Sequence, residues 1–248
     1  MTDDRMGFDA QKQDHASEMY ADHAMQLEAR NFLVAADRHN WSYQWTWLGL
    51  PIIQLPSDIV AMQEVIWDSK PDLIIETGVA RGGSLILSAS MLQLLGRGRV
   101  LGIDIDIRDH NRRAIESHPL ADRITLLEGS SLDDQIIREV SRQSEQFDRV
   151  MVVLDSNHTH HHVLSELLAY SPLVSVGQYL VVCDTVVEDL PPQDHRPRPW
   201  GPGNNPATAL REFLVDHPDF EVDEAIQNRL LISSSPGGSL RRLLMEDS

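Results

Sequence analysis

Short apolar runs bounded by polar or glycine-rich stretches alternate along the chain with longer segments whose apolar residues recur at helical spacing. The first kind reads as strand and the second as amphipathic helix. Strands are expected at 72–76, 99–105, 124–128, 148–155 and 178–184. Helices are expected between most of them, at 84–95, 111–117, 133–142, 162–170 and 207–216. Strands separated by helices imply an α/β fold with a doubly wound, mainly parallel sheet. A last pair, 221–225 and 230–233, flanks a short Gln227-Asn228 turn and predicts an antiparallel edge hairpin.

Ahead of the sheet, residues 1–15 are polar and read as frayed. Met19, Ala24, Leu27, Phe32 and Leu33 then mark one helix over 16–37. Another helix follows Pro56 and runs to Ser69, with Ser57 or Asp58 as its N-cap. Between them Trp41, Tyr43, Trp45 and Trp47 form a dense aromatic patch, read either as a seal over the core or as a lid or subunit contact. The organisation expected is an N-terminal helical and aromatic extension, 1–56, and one α/β domain, 57–248. Residues 190–206, rich in Pro, Gly and Asn, read as a long loop with a functional role.

Charge narrows the partners. Asp and Glu outnumber Lys and Arg by 38 to 21, a formal charge of -17, which repels phosphate backbones and anionic membranes. The arginine-rich stretches, Arg196–Arg198 and Arg241–Arg242, are short. Nucleic-acid and membrane partners are therefore not expected. No apolar run approaches the roughly 20 residues needed to span a bilayer. The polar, acidic start is unlike a signal peptide, and Cys183 is the sole cysteine, so no intrachain disulfide or cysteine cage can form. A cytoplasmic setting is expected.

The strand ends carry the chemistry. Leu73-Ile74-Ile75-Glu76 runs into Thr77-Gly78-Val79-Ala80-Arg81-Gly82-Gly83-Ser84, a glycine-rich turn opening a helix. Ligands of open parallel sheets sit beyond such turns. Ala80 stands where a dinucleotide fingerprint needs its second glycine, which counts against a pyrophosphate and for a cofactor without one. Glu76 suits a cationic group such as the amino group of S-adenosylmethionine. The next strand ends at Asp104 and Asp106, where a carboxylate can accept ribose hydroxyls, with Asp104 preferred; the third ends at Gly129-Ser130-Ser131, a lining for adenine. Cofactor contacts are expected at Glu76, Gly78, Ala80, Ser84, Asp104, Ser130 and Asp155.

The fourth run ends Leu154-Asp155-Ser156-Asn157-His158-Thr159-His160-His161-His162 and the fifth Val182-Cys183-Asp184. In a parallel sheet Asp155 and Asp184 approach at one edge, and two carboxylates beside open positions suit Mg²⁺. The plain alternative is one carboxylate capping a helix and one facing solvent. A neutral histidine can take a proton from a hydroxyl near pH 7. His158 and His162 are expected close together, and at least two of His160, His161 and His162 at the surface of a helix start.

Together these segments resemble the cephalosporin hydroxylase / rhamnosyl O-methyltransferase family. The resemblance covers 47–213 and is carried by Leu48–Pro56, Glu76–Ser84, Gly102–Asp106, Leu154–His160 and Tyr179–Thr185. It implies a Rossmann-like methyltransferase sheet and an S-adenosylmethionine-dependent, Mg²⁺-assisted O-methyl transfer to a natural product such as a sugar or polyketide. By position it places cofactor contacts at Glu76, Gly78 and Asp104, the cation at Asp155 and Asp184, and the base at His158. One departure stands out: a glutamate often precedes the second aspartate, and here that position is Cys183, a soft and usually protonated donor that suits Mg²⁺ poorly. An NAD-dependent oxidoreductase, an iron hydroxylase using the histidines, and a non-catalytic relative are the rival classes. Self-association through the aromatic N-terminal segment is a further option.

Overall fold

The computed structural model describes residues 4–192 and 197–245. From the N-terminus the chain forms α1 (Arg5–Ala21), α2 (His23–Asp37), β1 (Trp45–Trp47), β2 (Leu50–Ile52) and α3 (Pro56–Ser69). Then come β3 (Leu73–Thr77), α4 (Gly83–Leu94), β4 (Arg99–Asp104), α5 (Asp109–Glu116), β5 (Ile124–Glu128) and α6 (Asp134–Ser144). The rest is β6 (Val150–Leu154), α7 (His160–Tyr170), β7 (Tyr179–Val182), α8 (Pro206–Asp216), β8 (Phe220–Val222), α9 (Glu224–Gln227) and β9 (Ser239–Arg242).

Every residue of β3, β6 and β7 is buried, because helices cover both faces of the sheet they form. The strand order is β5-β4-β3-β6-β7-β9-β8, parallel from β5 to β7 and antiparallel at β9 and β8. The winding reverses between β3 and β6. Their carboxyl ends therefore flank the crevice where open α/β sheets bind ligands.

The aromatic patch folds as the β1–β2 hairpin laid on α4, with Trp47 Nε1 donating to Ser90 Oγ at 3.0 Å. A side chain at Gly83 would place its Cβ 2.3 Å from the Pro51 carbonyl oxygen, which is why the first residue of α4 is glycine. Trp45 and Trp47 pack against the buried cluster of Ile52, Ile59 and Leu87, and Trp41 stands edge-on to Phe32 and Trp45.

Four expectations are corrected. Residues from Arg5 onward are helical rather than frayed. The single helix over 16–37 is two, broken at Asp22, whose carboxylate accepts the Met25 N–H and caps α2. The N-cap of α3 is Leu55, with Pro56 at the first helical position. Ser57 and Asp58 are turned instead toward the C-terminal segment: Ser57 Oγ donates to the Ile232 carbonyl, and Asp58 accepts from Ser233 and Ser234. The antiparallel edge exists, but 230–233 is not a strand; that segment is drawn toward α3, and the partner of β8 is β9. Gly238 allows the crossing, since a Cβ there would lie 2.1 Å from the Val182 carbonyl oxygen. Of the arginine-rich stretch 196–198, Arg196 lies outside the described residues. Among the described residues no helix is long and apolar enough to cross a membrane.

Candidate active site

The turn after β3 is held from two sides. A Cβ on Gly78 would sit 2.0 Å from the Asp155 carbonyl oxygen, so the neighbouring strand end requires glycine there; its φ of 93° requires it again. Ala80 occupies the left-handed region at φ 45° without being glycine. Asp104 Oδ2 accepts the amides of Val79 at 2.8 Å and Ala80 at 3.1 Å, while Oδ1 accepts that of Asp106 at 3.1 Å. Asn111 Nδ2 donates to the Ala80 carbonyl at 2.8 Å. The strained turn is thus fixed by Asp104 and Asn111 as well as by its own glycine.

The cleft beside this turn has a volume of about 280 Å³ and is lined by Gly78, Ala80, Asp104, Ser130, Asp155 and His162. Five of the residues expected to meet a cofactor are therefore on one wall. Glu76 and Ser84 are bound to each other and do not line this cleft, Ser84 Oγ donating to the buried Glu76 carboxyl. Burial pushes the Glu76 pKa up to about 7, against the lowering effect of the Ser84 hydrogen bond.

Asp155 and Asp184 follow adjacent parallel strands, and the Cys183 amide donating to the Leu154 carbonyl at 3.0 Å extends the pairing to the strand ends. Asp184 is left-handed, φ 56°. His158 Nε2 lies 3.3 Å from Asp184 Oδ2, and one ligand atom each from Asp155, His158 and Asp184 falls within 4.8 Å of the others. Burial first, then the charges of Asp184 and Glu76, push the Asp155 carboxyl well above the usual carboxylate range. Burial likewise raises the Cys183 thiol, with Asp155 and Asp184 adding to it, so a thiolate is disfavoured there. The shelf is rich in carboxyls and short of positive charge.

The histidines separate by role. His160 ties α7 to α8 through Thr208 Oγ1 at 2.8 Å and Glu212 at 3.2 Å, and His161 is exposed. His162 is 3.2 Å from Ser156 Oγ, whose hydroxyl donates to the buried Glu166 at 2.8 Å. The His158 ring stands edge-on to Trp200, centroids 4.8 Å apart.

Three residues of this neighbourhood escape sequence reading. Asp58 accepts from Ser233 Oγ, Ser234 N and Ser234 Oγ at 2.6 to 2.8 Å, and burial raises its pKa. Gln54 is buried beside Asp184, and Trp200 arrives from the 190–206 loop. None carries a local signal, because each meets the site through partners distant in sequence.

The chain matches the family described as Rhamnosyl O-methyltransferase/CmcI over residues 39–243. It is 30% identical over 221 residues to a Mycobacterium tuberculosis protein named Rhamnosyl O-methyltransferase, covering 84% of this chain and 85% of that one. A Mycobacterium leprae protein of the same name is 29% identical, covering 84% and 90%. Among solved structures, CmcI in an apo form superimposes with a TM-score of 0.57 at 21% identity, covering 82% of this chain and 78% of that one. CmcI with Mg and SAM gives 0.55 at the same identity and coverage. At that identity the structural likeness is one of fold, while the sequence match over most of the chain settles descent: the chain belongs to the Rhamnosyl O-methyltransferase/CmcI family.

Proposed function

We propose that this chain, an O-methyltransferase by family, transfers a methyl group from S-adenosylmethionine to a hydroxyl of a small-molecule natural product. The observation that carries the reading is one juxtaposition: Asp155 lines the cleft beside the glycine turn and also joins His158 and Asp184 within 4.8 Å. A methyl donor and an activated hydroxyl must be aligned in this way, because the protein's main task in such a transfer is positioning.

The residues fit both groups the family implies. The cleft offers a fixed turn at Gly78 and Ala80 and, in Asp104 and Ser130, polar side chains for a nucleoside; Glu76 and Ser84, hydrogen-bonded to each other, flank the turn in sequence. Asp155, Glu76 and Asp58 are all raised by burial, so a cationic sulfonium or a divalent ion is what this cluster lacks. Asp155 and Asp184 would hold Mg²⁺, with Cys183 contributing no ligand because its thiol stays protonated. Bound there, a divalent cation supplies Lewis acidity that eases loss of the hydroxyl proton. His158, held through Nε2 by Asp184 Oδ2 at 3.3 Å, would take the hydroxyl proton on Nδ1, and Asp184 would stabilise the imidazolium. The surface charge of -17 favours an uncharged or cationic acceptor over nucleic acid. A single cysteine, which leaves no intrachain disulfide to form, fits a cytoplasmic reading.

Calorimetric titration with S-adenosylhomocysteine, and with NAD as the rival, tests the cofactor. Binding of the first and not the second is expected, and the reverse would overturn the reading. In the same series His158→Ala should keep S-adenosylhomocysteine affinity while turnover falls by about 10² to 10⁴-fold. Full turnover in that variant would remove His158 from its role.

A further inference from the structure

A second cavity, of about 140 Å³, opens over His158 and Asp184 and shares no lining residue with the cleft beside the glycine turn. A smaller space of about 40 Å³ shares Asp155 with that cleft and Gln54 and Asp184 with the outer cavity. The outer cavity is walled by Leu33 of α2, by Val187 and Leu190, and by Trp200, whose ring also meets His158. Nothing in the methyl-donor reading uses these walls.

Gln54 lines both the outer cavity and the smaller space, is 8% exposed, and its Oε1 is buried with no hydrogen-bond partner. An unpaired buried amide oxygen destabilises a fold, and native proteins rarely retain one without use for it. A hydroxyl is the group that suits this amide best: it can donate to Oε1 or, if the amide turns over, accept from Nε2. Charge narrows the ligand further. Asp184 faces the cavity with the half-buried carboxyls of Asp155 and Asp58 near it, which disfavours an anion. Arg198 and Asp37 line the same cavity with opposite charges, and the Arg198 guanidinium lies over the Trp200 ring, 5.3 Å from its centroid.

We propose that this cavity is the acceptor subsite, and that Gln54 determines its specificity by hydrogen-bonding a hydroxyl of an uncharged acceptor. The inference rests on the methyltransferase reading above. It assigns to the N-terminal segments around α2 and Gln54 a share in acceptor choice, next to the shelf that handles the proton.

The test uses two probes that differ only at C6, a hydroxymethyl group in 4-nitrophenyl β-D-glucopyranoside and a carboxylate in 4-nitrophenyl β-D-glucuronide, with the protein saturated in S-adenosylhomocysteine. Saturation-transfer NMR should detect the glucoside on the parent protein, with the glucuronide bound at least about tenfold more weakly. Gln54→Leu should weaken glucoside binding about tenfold, the scale of one hydrogen bond to a neutral partner. Its affinity for S-adenosylhomocysteine should not change. The Tm of the unliganded variant should equal or exceed that of the parent, since an unpaired amide has been removed; a purely structural glutamine would give the opposite, a lower Tm with binding intact. Equal binding of the two probes, unchanged glucoside binding by Gln54→Leu, or no glucoside binding by a parent protein that does bind S-adenosylhomocysteine each overturns the proposal. A parent protein that fails to bind S-adenosylhomocysteine overturns the methyltransferase reading itself, and this inference with it.

Discussion

Glu76 shows how a single buried acid links stability to the site. Its pKa is about 7 in the folded chain against 4.5 ordinarily, so between those values the folded state holds more protons than the unfolded state. The stability it contributes is therefore full below about 4.5 and is lost as the pH climbs through 7. A shift of that size corresponds to about 3 kcal/mol. Glu76→Gln keeps an acceptor for Ser84 and removes the titration, so urea unfolding between pH 5 and 8 should give a flatter stability profile than the parent and a more stable protein at pH 8. Parallel profiles would exclude Glu76 as the group responsible. The residues legible in the sequence were those at strand ends. Asp104, Asp155 and Asp184 could be located because an acid closing an apolar run has few other places to go. Glu76 was legible as a residue but not as a buried one paired with Ser84, since nothing in the run distinguishes a carboxyl facing a ligand from one beneath the turn.

Among elements, α8 shows how the long loop is anchored. Asn205 is fully buried; its Oδ1 accepts the amides of Ala207 and Thr208, and its Nδ2 donates to Glu188 at 2.5 Å and to the Gly201 carbonyl at 2.8 Å. Asn205→Ala removes the cap and both donated bonds, an expected loss of about 2–3 kcal/mol and a fall in Tm of roughly 5–10 °C. Asn205→Ser restores the cap alone and should recover part of the loss in the same thermal melts; a serine variant no better than alanine would show that the cap contributes nothing. Legibility at this scale followed hydrophobic period. The five parallel strands and the helices between them are strongly patterned, and they appear where the pattern put them. The misreadings have two causes: Ser57, Asp58 and 230–233 are governed by hydrogen bonds to partners that no local window contains, and Asp22 is a cap within an otherwise continuous helical pattern.

For the whole molecule the governing quantity is an acidic surface of formal charge -17 around a shelf whose buried carboxyls repel one another. Raising NaCl from about 10 mM to 0.3 M screens the surface term, whose range is about 10 Å at 0.1 M, and should raise the Tm. At fixed ionic strength, millimolar MgCl₂ or MnCl₂ should add a further saturable rise by binding the folded state. That rise should vanish in Asp155→Asn and on chelation; a divalent effect no larger than the ionic-strength effect would rule out the cation site. The sheet order carries one more consequence. β9, at 239–242, is inserted between β7 and β8, so β7 has no neighbour on that side until residues 239–242 have been made. The parallel half can assemble during synthesis, since domains gain structure from the N-terminal side. Its outer edge stays open as a template for other strands until β9 arrives. Ser233 and Ser234, which hold Asp58, emerge only just before it. Translation that halts before these segments are made therefore leaves an unfinished shelf on a sticky edge, and the catalytic rim is completed only with them.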